Sequence, residues 1–277
     1  MLREIRTLTA SEVETLVDWA AGEGWNPGID DAGLFRAADP EGFIGAFVAG
    51  EMVAGISAVA YGAGFGFIGL YICRPGNRGQ GHGKAVWDAG MTRLGGRIIG
   101  LDGVAEQRAK YQRMGFVPAY ETVRYSGRPD GLIRGADIRP ATPESYAAIQ
   151  AYDRQCFPAP RRVFLEGWLR APRMALIASD RTGIAGYGVA RRCRDGFKIG
   201  PLFADGTEVA LGLLAELAES VEGETLHVDV PASNGGLIAA LESAGMRPGF
   251  TTTRMYKGGT PDNVAAKVFG ITTLELG

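Results

Sequence analysis

One segment of the chain is rich in glycine, which has no side chain, and also carries positively charged residues. It begins at Arg74 with the sequence RPGNRGQGHGKAVW, follows an apolar run and leads into a helical pattern. Its distinctive residues are, in order, Arg78, Gly79, Gly81, Gly83 and Lys84. Because glycine has no Cβ, backbone amides can approach a ligand closely, and the first turn of a helix adds unpaired amides and the positive end of its dipole. The segment therefore predicts a binding site for phosphate groups.

Two common phosphate motifs do not fit this segment. A P-loop requires a glycine where Arg78 stands and a serine or threonine where Ala85 stands. The dinucleotide fingerprint G-x-G-x-x-G/A ends on Lys84 or on Val86, depending on the glycine from which it is counted. Asp102 lies about 20 residues further on, at the end of a predicted strand, where a ribose-binding acid would stand. A dinucleotide site therefore stays open as an alternative.

A third motif, R-x-x-G-x-G, fits residues 78–83 at every specified position. It resembles the pyrophosphate-binding motif of the GNAT N-acetyltransferase superfamily, in which a proline usually stands three residues earlier, as Pro75 does here. The family also has Y-x-x-x-G-F at the end of a later helix, and YQRMGF at residues 111–116 matches it. The resemblance covers residues 1 to about 127. The segment EGWNPG and the repeat described below are similar to a bacterial tandem-GNAT subgroup, here with a degenerate C-terminal copy.

This resemblance implies acetyl-CoA as the cosubstrate, and no metal. The two phosphates would be held by the backbone amides of Arg78, Gly79, Gln80, Gly81, His82, Gly83 and Lys84. A backbone amide at Ile72 or Cys73, where the fourth strand separates from the fifth, would polarise the thioester carbonyl. The Cys73 thiol could instead form a covalent intermediate. No histidine stands nearby in the sequence to activate it, so we expect a structural role for this side chain.

The resemblance also places a general acid at Tyr111. A phenol with a pKa of about 10 is protonated at neutral pH and can still protonate a departing thiolate. The alternative is that Tyr111 only packs its helix against the core. The fourth strand, FGFIGLYIC, contains no carboxylate, so the general base would be a water chain, Glu23 or an acid of the second copy.

The loop after the first helix borders the acceptor site in this family. Here it contains Glu23, Trp25, Asn26 and Asp30, which we take as candidate substrate-binding residues. Each of them could equally be a helix cap or a packing residue. The sequence does not choose between these roles.

The chain repeats itself at a nearly constant spacing. VAGISAVA recurs as IAGYGVA 131 positions later, and VPAYETVRY recurs as RPGFTTTRM 130 positions later. Separate matches at nearly one spacing indicate two copies of one domain. The predicted domains are residues 1–130 and 137–277, and the junction, rich in glycine, proline and charge, falls at residues 127–140.

Each copy shows the pattern of a mixed α/β fold. In the first copy, two helical patterns precede the apolar runs FIGAFVAG, VAGISAVAYG and FGFIGLYIC, which predict three successive antiparallel strands. The glycine loop and its helix, a fifth strand, another helix and a last strand follow, so a strand–helix–strand crossover completes the sheet. We therefore predict two tandem GNAT-like domains, each a mostly antiparallel sheet with flanking helices. This is also the order of elements in the family.

The second copy keeps the scaffold but lacks the chemistry. Its strand KIGPLF is followed by ADGTEV, without alternating glycines, and Leu241 stands at the place of Tyr111. We therefore predict one active site per chain, in the first copy, with a non-catalytic second copy that completes a core or covers the acceptor pocket. Asp153 is a candidate substrate-binding residue there, within a predicted pocket-facing group of Tyr152, Asp153, Phe157, Arg161 and Arg162. The final run, VFGITTLELG, predicts a last strand at a sheet edge.

The composition of the 277-residue chain argues against several other functions. A net charge of −2 and a pI near 5.8 indicate no general affinity for nucleic acid or anionic lipid. No apolar run approaches the roughly 20 residues that span a bilayer, and the N-terminus lacks a signal-peptide pattern, so we expect no membrane partner. Three widely spaced cysteines and only two histidines favour reduced thiols in the cytoplasm over a metal site.

Together these patterns predict an acetyl-CoA-dependent N-acetyltransferase that acts directly on a primary amine. The expected acceptor is a small molecule, such as an amino acid, a polyamine or an amino sugar. The alternatives are a protein lysine or N-terminus as acceptor, or a CoA-binding sensor without turnover. We expect a monomer or a homodimer.

Overall fold

The computed structural model describes residues 3–134, 137–221 and 223–277, and in them one mixed sheet of 13 strands carries helices on its faces. In the first half of the chain the elements follow one another as β1 (Arg3–Thr7), α1 (Ala10–Gly22), α2 (Asp31–Ala38), β2 (Phe43–Val48), β3 (Glu51–Tyr61), β4 (Phe65–Cys73), α3 (His82–Arg93), β5 (Ile98–Val104), α4 (Ala105–Arg113) and β6 (Val117–Gly127).

The second half repeats this order element by element and adds one short strand. Its elements are β7 (Ile138–Pro140), α5 (Tyr146–Cys156), α6 (Arg162–Trp168), β8 (Met174–Asp180), β9 (Gly183–Arg192), β10 (Phe197–Ala204), α7 (Thr207–Glu219), β11 (Leu226–Pro231), α8 (Gly235–Ser243), β12 (Arg247–Lys257) and β13 (Val268–Gly270). The predicted mixed α/β class and the two-copy arrangement are confirmed. Residues 135 and 136 of the predicted junction lie outside the described residues, and the proposed domain limits stay a prediction.

Helix α1 forms because both its start and its buried face are encoded locally. Thr9 and Glu12 form a capping box, in which the Thr9 amide donates to Glu12 Oε2 at 2.8 Å and the Glu12 amide to Thr9 Oγ1 at 3.4 Å. Leu16 is fully buried, and a Cβ at Gly55 on β3 would lie 2.6 Å from its Cδ1. This close packing fixes the helix, and hence the loop after Gly22, over the sheet.

The last strands of the two halves change places in the sheet. The strand order is β1-β2-β3-β4-β5-β12-β6-β11-β10-β9-β8-β7, so β12 of the second half lies beside β5, and β6 of the first half lies beside β11. The two predicted sheets therefore join into one continuous sheet, which the sequence pattern did not predict.

A buried ion pair secures each exchanged strand. On β6, Arg124 donates to both oxygens of Asp229 on β11, at 2.7 and 3.0 Å. On β12, Arg254 does the same to Asp102 on β5, at 2.8 Å for each bond. Two-bond pairing of this kind fixes the relative position of the two strands that it joins. Asp102, the residue that would serve a dinucleotide ribose, is thus engaged as half of a structural ion pair.

Strands β4 and β10 are each bulged at the same place in their half. On β4 the register against β3 shifts between the pairs Ser57–Gly69 and Gly55–Ile72, and on β10 a matching shift against β9 follows Ile199. A bulge bends a strand and interrupts its pairing. Consequently β4 pairs with the parallel β5 only as far as Ile68, and a gap opens beyond it.

The corresponding gap in the second half is filled by the chain itself. β13 pairs with β10 through Val268 and Gly270, and the Ile271 amide then donates to the Asp229 carbonyl of β11 at 3.0 Å. The C-terminal run was predicted as a strand at a sheet edge. It instead forms a three-residue strand inside the sheet, because the bulge of β10 leaves unpaired backbone groups there.

Neither a membrane-spanning helix nor a metal cluster occurs among the described residues. No helix in them is both long and apolar enough to cross a bilayer. No three side chains of His, Cys, Asp or Glu in those residues come together as metal ligands could. The cytoplasmic location remains a prediction.

Candidate active site

The glycine loop connects β4 to α3 and requires an unusual backbone. Gly79 and Gly81 have φ of 78° and 80°, in the left-handed region, and Gly81 is the residue that caps α3. A Cβ at Gly79 would meet no atom within 4 Å, so the backbone conformation, and not crowding, favours glycine there. The loop turns directly into the first amides of α3, as a phosphate site requires.

A cavity of about 880 Å³ lies against this loop. Its wall includes the loop glycines and four cationic side chains, those of Arg78, Lys84, Lys110 and Lys257. The single acid in its lining, Asp88, pairs with Lys84 one helical turn away. An open cavity with excess positive charge beside a helix start fits the phosphates of an extended nucleotide.

The predicted loop residues divide between those that face the cavity and those that do not. Gly79, Gly81, Gly83 and Lys84 line it, and a Cβ at Gly83 would lie 3.1 Å from a tyrosine hydroxyl on β4. The Gln80 side chain instead donates to a loop carbonyl at 3.1 Å, and the His82 side chain is buried. For Gln80 and His82, only a role of the backbone amides remains as a prediction.

A second cavity, of about 370 Å³, lies in the gap between β4 and β5 and adjoins the first. The two cavities share Tyr71, Cys73, Arg78 and Lys110. The second cavity extends from this shared wall to the loop after α1. A ligand along the glycine loop can therefore reach the gap, where a second ligand can meet it.

Strand geometry distinguishes the two amides proposed for polarising a carbonyl. The Arg74 amide donates to the Val53 carbonyl of β3 at 3.0 Å, and Ile72 pairs with Gly55 of the same strand. Because amides alternate in direction along a strand, the amide of Cys73 points away from β3 and toward the gap. The geometry favours Cys73 over Ile72, whose amide belongs to the β3 pairing.

The Cys73 thiol stabilises the loop. Its Sγ donates to the Asn77 carbonyl at 3.4 Å, and burial raises the pKa of the thiol. A thiol with a raised pKa is a poor nucleophile at neutral pH. This agrees with the structural role expected for the side chain.

Tyr111, on α4, lines the gap cavity directly after Lys110, which lines both cavities. Its ring stacks on Trp87 of α3 with centroids 5.5 Å apart, and a Cβ at Gly103 of β5 would lie 2.9 Å from it. Within the part of the chain that the structure describes, no protein group hydrogen-bonds to its hydroxyl, and burial raises its pKa above the usual value. The hydroxyl is thus protonated and free to donate.

The loop after α1 brings two of its candidate residues to the gap cavity. Glu23 and Trp25 both line it. Arg78 donates through Nη2 to Glu23 Oε1 at 2.7 Å and through Nε to the Cys73 carbonyl at 3.0 Å, so its side chain spans the cavity mouth. The Trp25 carbonyl accepts from Lys198 Nζ at 3.1 Å, which ties the loop to the second half.

The other two loop candidates lie outside both cavities. Asn26 exchanges hydrogen bonds with the backbone of Asp195, at 2.9 and 3.1 Å. Asp30 is exposed and its carbonyl accepts from Arg173 at 2.9 Å, because the neighbouring Asp31 is buried in an ion pair with that arginine. Asn26 and Asp30 therefore attach the loop to the second half and line neither cavity, and their contact with substrate stays a prediction.

Asp153 and its predicted pocket-facing group lie in the core instead. Asp153 is 1% exposed, and both its oxygens accept from Arg161, at 2.6 and 3.0 Å. Arg161 neutralises its charge, which allows both to be buried. Tyr152 and Phe157 are buried as well, and Arg162 is exposed on α6. Asp153 therefore lines neither cavity, and its contact with substrate stays a prediction.

The second half contributes residues that the sequence analysis missed. Phe250 and Thr252 on β12, with Leu274 near the C-terminus, line the gap cavity. Lys257, also on β12, lines the cavity at the glycine loop and donates to the Met114 carbonyl at 2.9 Å. The repeat in the sequence located β12, but only the strand exchange brings it next to β5.

Comparisons with known proteins agree with this geometry. Residues 8–116 match the Acetyltransferase (GNAT) family and residues 149–270 match an Acetyltransferase (GNAT) domain. The holothin acyltransferase of Pseudoalteromonas sp. (strain SANK 73390) is 31% identical over the whole of this chain and 97% of its own length. The uncharacterized N-acetyltransferase YitH of Bacillus subtilis is 24% identical over 72% of this chain and 71% of its own length.

Two solved structures share the fold over nearly the whole chain. A candidate acetyltransferase from Pyrococcus horikoshii superposes with a TM-score of 0.82 at 22% identity, over 99% of this chain and 96% of its own. A tandem GNAT protein from the clavulanic acid biosynthesis pathway superposes with a TM-score of 0.62 at 18% identity, over 94% of this chain and 100% of its own. At these identities the likeness concerns the fold.

Proposed function

The chain belongs to the GNAT family of acyltransferases, and we propose that it transfers the acetyl group of acetyl-CoA directly to the primary amine of a small molecule. One observation carries the proposal. The cationic cavity at the glycine loop and the gap cavity share a wall that includes Cys73 and Lys110, and Tyr111, the residue after Lys110, lines the gap cavity. Donor and acceptor can therefore be held on either side of the groups that would act on them.

The glycine loop would hold the donor by its phosphates. Gly79, Gly81 and Gly83 line the cavity at the loop and at the first turn of α3, and Lys84 and Lys257 add positive charge. Phosphate bound at a helix start is stabilised by unpaired amides and by the helix dipole. When bound, acetyl-CoA supplies an acetyl thioester, which is activated for attack by an amine.

Two groups of the chain would act on the reacting atoms. The Cys73 amide, fixed by the pairing of β4 with β3, would donate a hydrogen bond to the oxygen on which negative charge develops. Removing an aimed donor of this kind costs about 3 to 4 kcal/mol of barrier in other enzymes. Tyr111 would give its proton to the departing sulfur, since its hydroxyl is free and protonated.

Glu23 lines the gap cavity and would receive a proton from the acceptor. Arg78 donates to its Oε1 at 2.7 Å, so the proton would go to Oε2, and the side chain is 38% exposed, so water can carry the proton away. Asp102 lines the same cavity, but both its oxygens accept from Arg254 at 2.8 Å. Its carboxylate is occupied in holding the exchanged strand.

The enclosed shape of the gap cavity favours a small acceptor. Its volume of about 370 Å³ is bounded on one side by the first half and on the other by β12 and the C-terminus. This is near the lower end of the range for small-molecule sites, about 300 to 1,000 Å³. A relative named for acyl transfer to holothin supports an acyltransferase with a small-molecule acceptor.

An acceptor screen with two readouts tests the proposal. The purified protein is incubated with acetyl-CoA and, separately, with small primary amines, with lysine-containing peptides and with peptides whose N-termini are free, and thiol release is followed alongside acetyl-CoA binding. Release with small amines supports the proposal. Release only with peptides would make a polypeptide the acceptor, and binding without release from any acceptor would make the chain a sensor; either result contradicts the proposal.

A further inference from the structure

The last seven residues of the chain, 271–277, form a buried segment with one exception. We name this stretch the C-terminal segment. Six of its residues are buried, and Leu274 alone is partly exposed. The side chain of Leu274 lines the gap cavity. Because the residues on both sides of Leu274 are buried, the C-terminal segment holds Leu274 at the wall of the gap cavity.

The neighbours of Leu274 are held by hydrogen bonds to the first half. Ser57 Oγ donates to the Glu275 carbonyl at 3.1 Å, and the Tyr61 hydroxyl donates to the Leu276 carbonyl at 3.1 Å. Within the segment, the Leu276 amide donates to Thr273 Oγ1 at 2.9 Å. These bonds fix the backbone on both sides of Leu274, so its side chain has little freedom to move out of the cavity.

The bulge of β4 provides the space for this contact. A Cβ at Gly69 would lie only 2.1 Å from the Glu275 carbonyl oxygen, so the segment can approach β4 there only because residue 69 is glycine. Gly69 and Leu70 also line the gap cavity. The C-terminal segment thus forms part of the cavity wall at the point where β4 separates from β5.

Most residues that line the gap cavity with Leu274 are apolar or aromatic, among them Trp25 from the loop after α1 and Phe250 from β12. Of the charged residues in the lining, Glu23 pairs with Arg78 and Asp102 with Arg254. An amine near Glu23 would place the rest of its molecule against the apolar part of this wall. Polyamines and amino sugars carry several amino or hydroxyl groups, which would lose hydration there and gain few partners.

We propose that Leu274 is the residue that limits the size of the acceptor and selects a primary amine with a compact apolar body. This inference rests on the proposed acetyl transfer and names the acceptor class for the same site. Leu274→Ala removes three carbons from the wall and would admit an acceptor with a longer apolar body. Leu274→Phe adds a ring and would exclude such an acceptor. A pocket that gains or loses such volume changes its preference between neighbouring homologues by about 10-fold or more.

The test measures kcat/KM for benzylamine and for naphthylmethylamine with each variant. In Leu274→Ala, the ratio of kcat/KM for naphthylmethylamine to that for benzylamine is expected to rise about 10-fold, and in Leu274→Phe it is expected to fall by a similar factor. The KM for acetyl-CoA is expected to stay within about 2-fold of wild type, because Leu274 does not line the cavity at the glycine loop. Spermidine and glucosamine serve as polar acceptors and are expected to react poorly with the unmodified chain.

Leu276→Ala is the matched control, since Leu276 is 1% exposed and belongs to the same segment. It is expected to lower thermal stability and to leave the ratio unchanged. An unchanged ratio in both Leu274 variants, or a preference of the unmodified chain for spermidine, would overturn the inference while the acetyl transfer itself stands. Binding of acetyl-CoA without transfer to any amine would instead refute the proposed function.

Discussion

The two halves of this chain share one scaffold but differ at every point where chemistry would take place. Each half has a bulged fourth strand, and each places an aspartate on its fifth strand opposite an arginine of the other half, Asp102 with Arg254 and Asp229 with Arg124. These features maintain the shape of the sheet. They are present both in the half that has the glycine-loop cavity and in the half that lacks the glycine loop, so they do not determine activity.

Three local features separate the halves. The first half has left-handed glycines at the start of α3, whereas Gly206 at the start of α7 has an extended backbone with φ of −175°. Tyr111 lines the gap cavity, whereas Leu241 is fully buried in the core. The gap beside β4 is open, whereas β13 fills the gap beside β10.

The filled gap also links the halves functionally. The chain that occupies the gap of the second half continues as the C-terminal segment and reaches the acceptor cavity of the first half at Leu274. Strand β12 does the same through Phe250 and Thr252. The degenerate half therefore contributes part of the wall of the gap cavity.

We expect the largest effect, on the free energy of unfolding, from breaking the buried Arg–Asp pairs that both halves share. Arg254→Met and Arg124→Met each leave a buried aspartate unpaired, so each is expected to lower the free energy of unfolding by about 3 to 5 kcal/mol, as measured by urea denaturation. The double variant Arg254→Met with Asp102→Leu is expected to recover most of that loss. Equal stability of all the variants would show that the paired charges do not hold the exchanged strands.

The next largest effect is expected at the start of α3, which differs from the start of α7. Gly81→Asp puts a negative charge beside the proposed phosphate site, and like charges in contact cost several kcal/mol, so acetyl-CoA affinity is expected to fall by about 1,000-fold in calorimetric titration. Gly206→Asp, at the matching helix start of the second half, is the control and is expected to bind as the unmodified chain does. Similar losses from both variants would remove the distinction between the halves.

Tyr111→Phe tests the difference at the fourth helix of each half. Without its hydroxyl the chain cannot protonate the departing sulfur, so kcat is expected to fall by about 100-fold in a thiol-release assay, with acetyl-CoA affinity unchanged. Leu241→Met, which conserves volume at the matching position, is expected to keep full activity. An undiminished kcat in the Tyr111 variant would make that residue a packing residue like Leu241.

The smallest effect is the pH dependence that Tyr111 imposes. Burial raises its pKa above the usual value of about 10, so the protonated form that donates persists throughout the neutral and moderately alkaline range. The kcat is therefore expected not to decline through loss of this proton up to about pH 9.5. A fall in kcat with an apparent pKa below about 9 that Tyr111→Phe abolishes would contradict this assignment.

The sequence predicted those parts of the molecule that depend on local patterns. The glycine loop, the fourth helix with Tyr111 and the order of elements in each half follow from spacing and turn residues, and the structure agrees with them. The strand exchange was not predictable from period alone, because β6 and β12 have matching patterns and can each fit beside either fifth strand.

The acceptor side was harder to predict than the donor side. Asn26, Asp30 and Asp153 have the residue types of ligands. Asn26 and the Asp30 carbonyl are instead bonded to residues distant in sequence, Asp195 and Arg173, and Asp153 forms a buried ion pair with Arg161, which follows it by eight residues. Leu274 is an ordinary apolar residue, so its type gives no indication in the sequence that it lines a cavity. Its position depends on the close approach of the neighbouring Glu275 backbone to Gly69, which is far away in sequence.

The most direct test is a crystal structure of the chain with CoA bound. We predict one CoA per chain, with its phosphates on the amides of residues 78–84 and its thiol arm in the gap between β4 and β5, next to Cys73 and Tyr111. CoA seated beside β10 with β13 displaced, or CoA bound away from the glycine loop, would contradict the assignment of a single site to the first half.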